Sequence, residues 1–579
     1  MLRSLVGIGL LLVSASMVAA QSTEAVLKLV PDSALAVTVV NHLETTSSLI
    51  EKLGIELKLG APNPLSLIKA FGGITDGLDD KGTVVLALLP DPDGLPTPVP
   101  VVFVPVTDYD KFIAPLVIEM EAKPIRSIAI TGKPLLACKK GSCAAVTLPQ
   151  YESALENVLA SETGIAAAVA PLADWTAANE LSFIGVPAGI QTLLDTMQMG
   201  IAQAKPALER AGPETKAALA QIKIMEGLID AARTELTLIG LGLDLIDEGH
   251  VAGSMRVQFA PSGEWARRSQ GATEVSAPAL TDLPAGPFGL AFASSSVEGW
   301  NEARLNFSFE MMRSSLEAPP FKFTKEQLDQ LRVASAAMLK QVKQMQLAMT
   351  TGVPGESLLS GMLGIIKVEN ADQYISLAKD SLKIYEKIGG QGGANPLPSY
   401  QIEEIQVGGK TALMTTVDML LMIPGMDQQP DEVKANLEPV MRALFGPTGK
   451  MTTYTVPLDN HRVLTAYNSK ALDDYLRSPP AASSSLASDK NLQTTAALLP
   501  KGAQTVGYVD MQGVVTLVNA TLNNIPAARG FQAPDFPAAP PIGIGSQLTA
   551  KGYELRLVAP KSLLSSIGDF VKTFRDMQQ

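Results

Sequence analysis

The sequence predicts an α+β protein made of tandem repeated strand-helix modules, with mainly antiparallel sheets and long amphipathic helices. Three observations predict it: short period-2 apolar runs bounded by turn residues, helical stripes between them, and the return of one order of elements in the second half of the chain. The first run lies after Val30-Pro31, where Val37 and Val39 alternate around Thr38. It returns after Leu283-Pro284, where Leu290 and Phe292 flank Ala291, and after Leu499-Pro500, where Val506 and Tyr508 flank Gly507. Proline just ahead of a strand removes no hydrogen bond from the ladder.

The elements beyond these starts repeat as well. Residues 83–89 and 99–106 read as two strands around the turn Pro90-Asp91-Pro92-Asp93-Gly94, and Asp108-Tyr109-Asp110 opens a helix. Residues 365–368 likewise lead into Asn370-Ala371-Asp372 and a helix. Asp and Asn suit helix starts because their side-chain oxygens accept from unpaired backbone amides. A hairpin at Cys138 leads to Tyr151-Glu152-Ser153-Ala154-Leu155, as a strand at 462–467 leads to a helix at 471–476. Hairpins at 236–259 and 547–558 close the two series. Long helices are expected at 216–234 and at 324–349, the second from a stripe of Leu328, Leu331, Met338, Leu339, Val342, Met345 and Met349. The glycine-rich stretch at 389–396 reads as a connector. The expected organisation is a signal peptide at 1–20, a first α+β half at 21–275, a linker at 276–287 and a second α+β half at 288–579.

Export is expected from the amino terminus, where Arg3 precedes an uncharged apolar run at 5–13 and Val18-Ala19-Ala20 offers a cleavage site before Gln21. Ser14-Ala15-Ser16 makes the segment too polar for a good membrane anchor, and no cysteine stands at the cleavage site to carry a lipid. No later stretch suits a second span, so the expected location is periplasmic or extracellular, without a membrane span. A hydrophobic fraction of 46% with 18% charged residues is globular, and a net charge of −12 opposes a nucleic-acid surface.

The only two cysteines frame Cys138-Lys139-Lys140-Gly141-Ser142-Cys143. A hairpin with a four-residue loop would set them face to face, and an oxidising compartment would let them bridge, so Cys138 and Cys143 are the disulfide candidate. Without CxxC or a nearby His, a redox or metal role is not indicated.

Chemistry is otherwise sparse. His42, His250 and His461 are far apart, and neither GxSxG nor HExxH occurs. Ser66-Leu67-Ile68-Lys69 and Ser376-Leu377-Ala378-Lys379 match Ser-x-x-Lys, in which the amine one turn on would activate the hydroxyl, but the companion motifs are missing. Met197, Met199, Met311 and Met312 are expected to fill cores rather than bind a soft metal. Asp79-Asp80 and Asp473-Asp474 read as turn and helix-start charges. No catalytic, cofactor-binding or metal-ligating residue is assigned.

Across 486–515, with Asp489, Leu499-Pro500 and Gly507-Tyr508-Val509-Asp510 in order, the sequence resembles exported bacterial proteins of uncharacterised function of the kind abundant in planctomycetes, and 29–41 is similar in style. That resemblance implies no activity. The expected function is an exported non-catalytic protein that binds an unknown protein or envelope component. A carrier of apolar ligands is the alternative, and a serine hydrolase the third.

Overall fold

The computed structural model describes residues 22–578 apart from 59, 61, 93, 95–96, 119–122, 212–214, 247–249, 276–278, 318–322, 351–356, 390–399, 420–430, 447, 524 and 526–529. The signal segment at 1–20, Gln21 and all but the first residue of the 389–396 connector therefore lie outside the described residues. The fold is α+β with antiparallel pairing, and no helix among the described residues is long and apolar enough to cross a membrane. The chain forms two compact units. One comprises the chain up to Gly200 with Ile229–Gly263 and Lys551–Glu554, and the other Ile201–Leu228, Glu264–Ala550 and Leu555–Gln579.

In the first unit β1 (Ala36–Val40) is followed by α1 (Leu43–Glu56) and α2 (Pro64–Gly72), then β2 (Val84–Leu89) and β3 (Val99–Pro105). The short α3 (Tyr109–Ile113) precedes β4 (Ile125–Ile130), β5 (Lys133–Lys140) and β6 (Cys143–Thr147), and α4 (Glu152–Ala160) comes next. Then come β7 (Leu181–Gly185), α5 (Pro187–Ala211) and α6 (Lys216–Glu235), of which Ile201–Leu228 is counted with the other unit, and β8 (Leu236–Ile246) and β9 (His250–Phe259). The strands lie in the order β4-β5-β6-β3-β2-β1-β7-β8-β9, every neighbour antiparallel. Val101 and Phe103 of β3 enter one core cluster, with Val37, Val39 and Leu155, while Val102 and Val104 enter another with Phe112 and Ile128. Burial on both faces explains why this strand reads as an unbroken apolar run. The Asp108 carboxylate starts α3 by accepting from the amides of Asp110 and Lys111.

In the second unit β10 (Phe288–Ser295) is followed by α7 (Glu298–Glu317), α8 (Lys325–Gln341), β11 (Val342–Thr350) and β12 (Met362–Val368). Next are α9 (Ala371–Gly389), β13 (Tyr400–Val407), β14 (Lys410–Asp418), α10 (Asp431–Phe445), β15 (Lys450–Asp459) and β16 (Arg462–Ala466). The series ends with α11 (Ser469–Arg477), α12 (Lys490–Ala496), β17 (Thr505–Val509), α13 (Met511–Asn523), β18 (Ile542–Thr549), β19 (Gly552–Pro560) and α14 (Lys561–Gln578). The order is β13-β14-β15-β16-β12-β11-β10-β17-β18, again antiparallel. From β4 to β8 in one unit and β14 to β18 in the other, the strand neighbours correspond one to one, with β13 extra at the edge.

Local details run in parallel too. Pro31 bridges Gly164 and Pro284 bridges Ser485. Beside them the Val30 carbonyl accepts from the Ile165 amide at 2.9 Å, and the Leu283 carbonyl from the Leu486 amide at 2.8 Å. At the start of α5, a Cβ on Gly189 would stand 1.8 Å from the Leu35 carbonyl oxygen, and at the start of α13 one on Gly513 would stand 1.9 Å from that of Phe288. Only glycine lets these helices come so close to the backbone entering the first strand.

One expectation about this region is corrected. The helix expected over 324–349 ends at Gln341, and Val342, Met345 and Met349 belong to strand β11. Its stripe coincides with a period-2 pattern in which Gln346 and Ala348 face inward, 0% and 2% exposed, and pairing to both β10 and β12 decides between the two. The segment expected as a linker is packed where it is described, with Leu280 and Leu283 fully buried.

Gly→Ala within a helix ordinarily stabilises by about 1 kcal/mol. Gly189→Ala and Gly513→Ala should each instead cost about 2 kcal/mol, since the new methyl has only backbone to displace. Gly200→Ala and Gly227→Ala, with open space at the Cβ position, are the controls expected to stabilise. Urea denaturation of the four variants checks the contrast.

Candidate functional site

The most connected polar centre lies in the second unit around Asp282, a side chain 13% exposed. Its carboxylate meets Lys367 Nζ at 3.1 Å and Arg462 Nη1 at 3.0 Å. The fully buried Gln346 donates to the same carboxylate from Nε2 at 2.9 Å and accepts from the Asp282 amide at 3.2 Å. Tyr475 on α11 donates its hydroxyl to the Asp282 carbonyl at 2.9 Å. Burial alone would raise the Asp282 pKa, but hydrogen bonds and charge from Lys367 and Arg462 outweigh it and hold the carboxyl below its usual range. Burial, helped by the Asp282 charge, pushes the Tyr475 phenol up to about 12. Asp459 holds Arg462 from its other side at 2.7 Å, and the charge-balanced cluster, which has no cleft, joins β11, β12, β16 and α11 to the segment ahead of β10. It is a structural clamp.

A cleft of about 350 Å³ opens elsewhere in the same unit. Its walls come from the β11–β12 connection (Ser357, Leu359), the end of the segment joining β14 to β15 (Phe445, Gly446, Thr448), β15 itself (Lys450, Met451, Thr452, Tyr454) and the entry to α11 (Tyr467, Asn468, Ser469). In the first unit the corresponding β4 and β5 are joined by Thr131-Gly132 alone, whereas residues 419–449, including α10, join β14 to β15. Among the described residues Lys450 is the single charged one of the lining. Burial raises the Tyr467 pKa, so its phenol stays protonated and able to donate. The amides opening α11 are already occupied, since the Asn468 carboxamide accepts from Lys470 and Ala471 at 2.8 and 3.2 Å.

The residues singled out in the sequence do not converge. Both thiols are buried and no disulfide joins Cys138 to Cys143, which corrects the expected bridge. The hairpin has a two-residue turn at Gly141-Ser142, so Cys143 stands opposite Lys140 and Cys138 opposite Ala145. The cysteines are diagonal rather than facing, at a Cα separation of roughly 7–8 Å that is too long for a disulfide without backbone movement.

Ser66 is exposed on α2, and Lys69 turns to Asp80 at 3.4 Å. Ser376 is exposed on α9, and Lys379 pairs with Glu404. His42 precedes α1 in a left-handed conformation, His250 opens β9, and His461 sits in the β15–β16 turn with Nδ1 2.9 Å from the Glu369 carbonyl oxygen. No group of three or more His, Cys, Asp or Glu side chains placed to hold a metal forms among the described residues. Met338 packs beside Val368 and Tyr374 as core filler, but Met197, Met199 and Met312 are 39%, 56% and 46% exposed, against the core role expected for them. Asp473 pairs with Arg477 one turn along α11, whereas Asp79 and Asp80 are buried, with Asp80 raised in pKa by that burial.

Sequence reasoning missed both Asp282 and the cleft. The apolar pair Leu280 and Leu283 flanking Asp282 was the available sign that this segment packs. Comparison with family models, with curated proteins and with solved structures gives no match.

Because the folded pKa of Asp282 is depressed, its contribution to stability is complete above the unfolded-state pKa of about 3.9 and is lost as pH falls through the folded value. Asp282→Asn should cost about 2 kcal/mol at pH 7, because Lys367 and Arg462 lose one charged hydrogen bond each while Arg462 keeps Asp459. That deficit should shrink below pH ~4, as tracked by urea unfolding across pH. Burial pushes the Cys138 thiol up to about 12, so at pH 8 it should resist alkylation in the folded protein and react after denaturation, read by mass spectrometry.

Proposed function

We propose that the protein is an exported, non-catalytic binding protein, periplasmic or extracellular once cleaved before Gln21, and that its two units are copies of one strand-helix module. The duplication rests on the corresponding strand neighbours, the paired Pro31 and Pro284 bridges, and the close helix approaches at Gly189 and Gly513. The binding assignment is carried by one observation: the cleft lies where the second module departs from the first, at the segment inserted between β14 and β15. A shared scaffold with a locally added pocket is how binding sites are grafted onto folds. The Ser-x-x-Lys lysines are engaged by carboxylates and their serines face solvent, an arrangement that favours binding over acyl transfer.

A second reading, carriage of an apolar ligand, is favoured by Leu181, Phe183 and Leu241. These residues stand together on β7 and β8 at 39%, 37% and 50% exposure.

Both readings meet one experiment: recovery of the native protein from the exported fraction, intact-mass measurement, and mass spectrometry of whatever co-purifies. The expected outcome is a chain beginning at Gln21 with a polar small molecule or an envelope component bound. A mass retaining residues 1–20 would refute cleavage. A stoichiometric acyl lipid would replace the first reading with the second, and turnover of an ester or amide substrate lost in Ser66→Ala or Ser376→Ala would overturn both.

A further inference from the structure

We infer that the cleft of the second unit takes a small hydroxylated carboxylate, with the size and chemistry of a sugar acid. This inference rests on the binding function proposed for that cleft and gives it a ligand class.

Charge comes first. Lys450 supplies one positive charge, and among the described residues no carboxylate belongs to the lining. Asp418 stands opposite Lys450 on β14, but it lies outside the lining and has interactions of its own. The start of α11 adds no free donor, because Asn468 caps it. A single ammonium balances a single negative charge. The anion that fits is therefore a monoanion, and a carboxylate is its simplest form.

The rest of the lining selects what carries that carboxylate. Tyr454, Tyr467, Thr448 and Ser469 place hydroxyls around the cavity, groups that both donate and accept and so match ligand hydroxyls. Phe445 and Met451 supply apolar wall for the carbon skeleton. The volume of about 350 Å³ lies at the small end of the range for ligand pockets, suiting a single ring rather than a chain of them.

The test is calorimetric titration of the full mature chain with D-glucuronate, D-glucose and inorganic phosphate at low salt and neutral pH. Glucuronate should bind with 1:1 stoichiometry, and glucose and phosphate each at least tenfold more weakly. Lys450→Met should lose at least tenfold in affinity for glucuronate, while Lys450→Arg retains most of it and Lys133→Met, an exposed site in the first unit, changes nothing. Circular dichroism of each variant establishes that it is folded, and Lys450→Arg keeps the test decisive if Lys450→Met is not.

Equal binding of glucose overturns the charge argument, equal binding of phosphate overturns the hydroxylated-carboxylate assignment, and an unaffected Lys450→Met removes the cleft as the site. Absence of glucuronate binding overturns this inference alone if another small polar molecule co-purifies with the native protein. It overturns the binding reading as well if nothing does.

Discussion

Each unit is organised by one constraint: its first strand is also a central one. β1 has to be flanked by β2 and by β7, and β10 by β11 and by β17, so neither sheet closes until the chain returns from far along the sequence. Non-local closure of this kind costs loop entropy before any contact repays it. The repayment is burial of the face that meets the core. Val37 and Val39 are fully buried from β1, and Ala291 and Ala293 from β10. At about 1.5–3 kcal/mol for each large apolar side chain removed from water, such rows supply the main driving force. The helices are subordinate to this arrangement. α5 and α13 each begin immediately beyond the closing strand, and Gly189 and Gly513 let them lie against the chain entering the first one.

The two units solve the same local problem with different chemistry. Just ahead of Pro31 and Pro284 the chain must be held against the sheet. In the first unit Leu29 does so by packing over the β5–β6 turn, so close that a Cβ at Gly141 would stand 2.9 Å from Leu29 Cδ2. In the second, Asp282 occupies the corresponding place and reaches Lys367, Arg462 and Gln346. An apolar pin tolerates small shifts in register. An ion cluster does not, because each missing partner leaves a desolvated charge. The polar solution thus fixes β11, β12 and β16 more sharply, in the unit that carries the cleft.

Much of this was legible in the sequence, and the failures have physical causes. β1, β10 and β17 show plain alternation after proline, and Asp108 and Asn370 announce their helices through cap chemistry. The 324–349 stretch misleads because Val342, Met345 and Met349 keep the helical spacing of three and four, which the strand absorbs by a register shift between Val342 and Gln344, and only strands distant in sequence can arbitrate. The cysteine hairpin was located correctly but given too long a turn, and two residues of difference changed the partner of each thiol. Asp282 was hidden by its setting among Ala, Pro and Gly, which read as a linker. The cleft was invisible for a deeper reason. Its walls come from four separate stretches between Ser357 and Ser469, and no spacing rule joins them.

The extra strand β13 has a consequence for solution behaviour. Among the described residues it pairs only with β14, so it replaces β14 as the open margin of the sheet. An open margin offers unpaired amides and carbonyls to any passing chain. On β13 the exposed positions are Gln401, Glu403, Glu404 and Gln406, and Lys379 from α9 engages Glu404. With Glu404 paired to Lys379, Glu403 and the two glutamines keep that margin polar, and a polar margin disfavours pairing with a second chain.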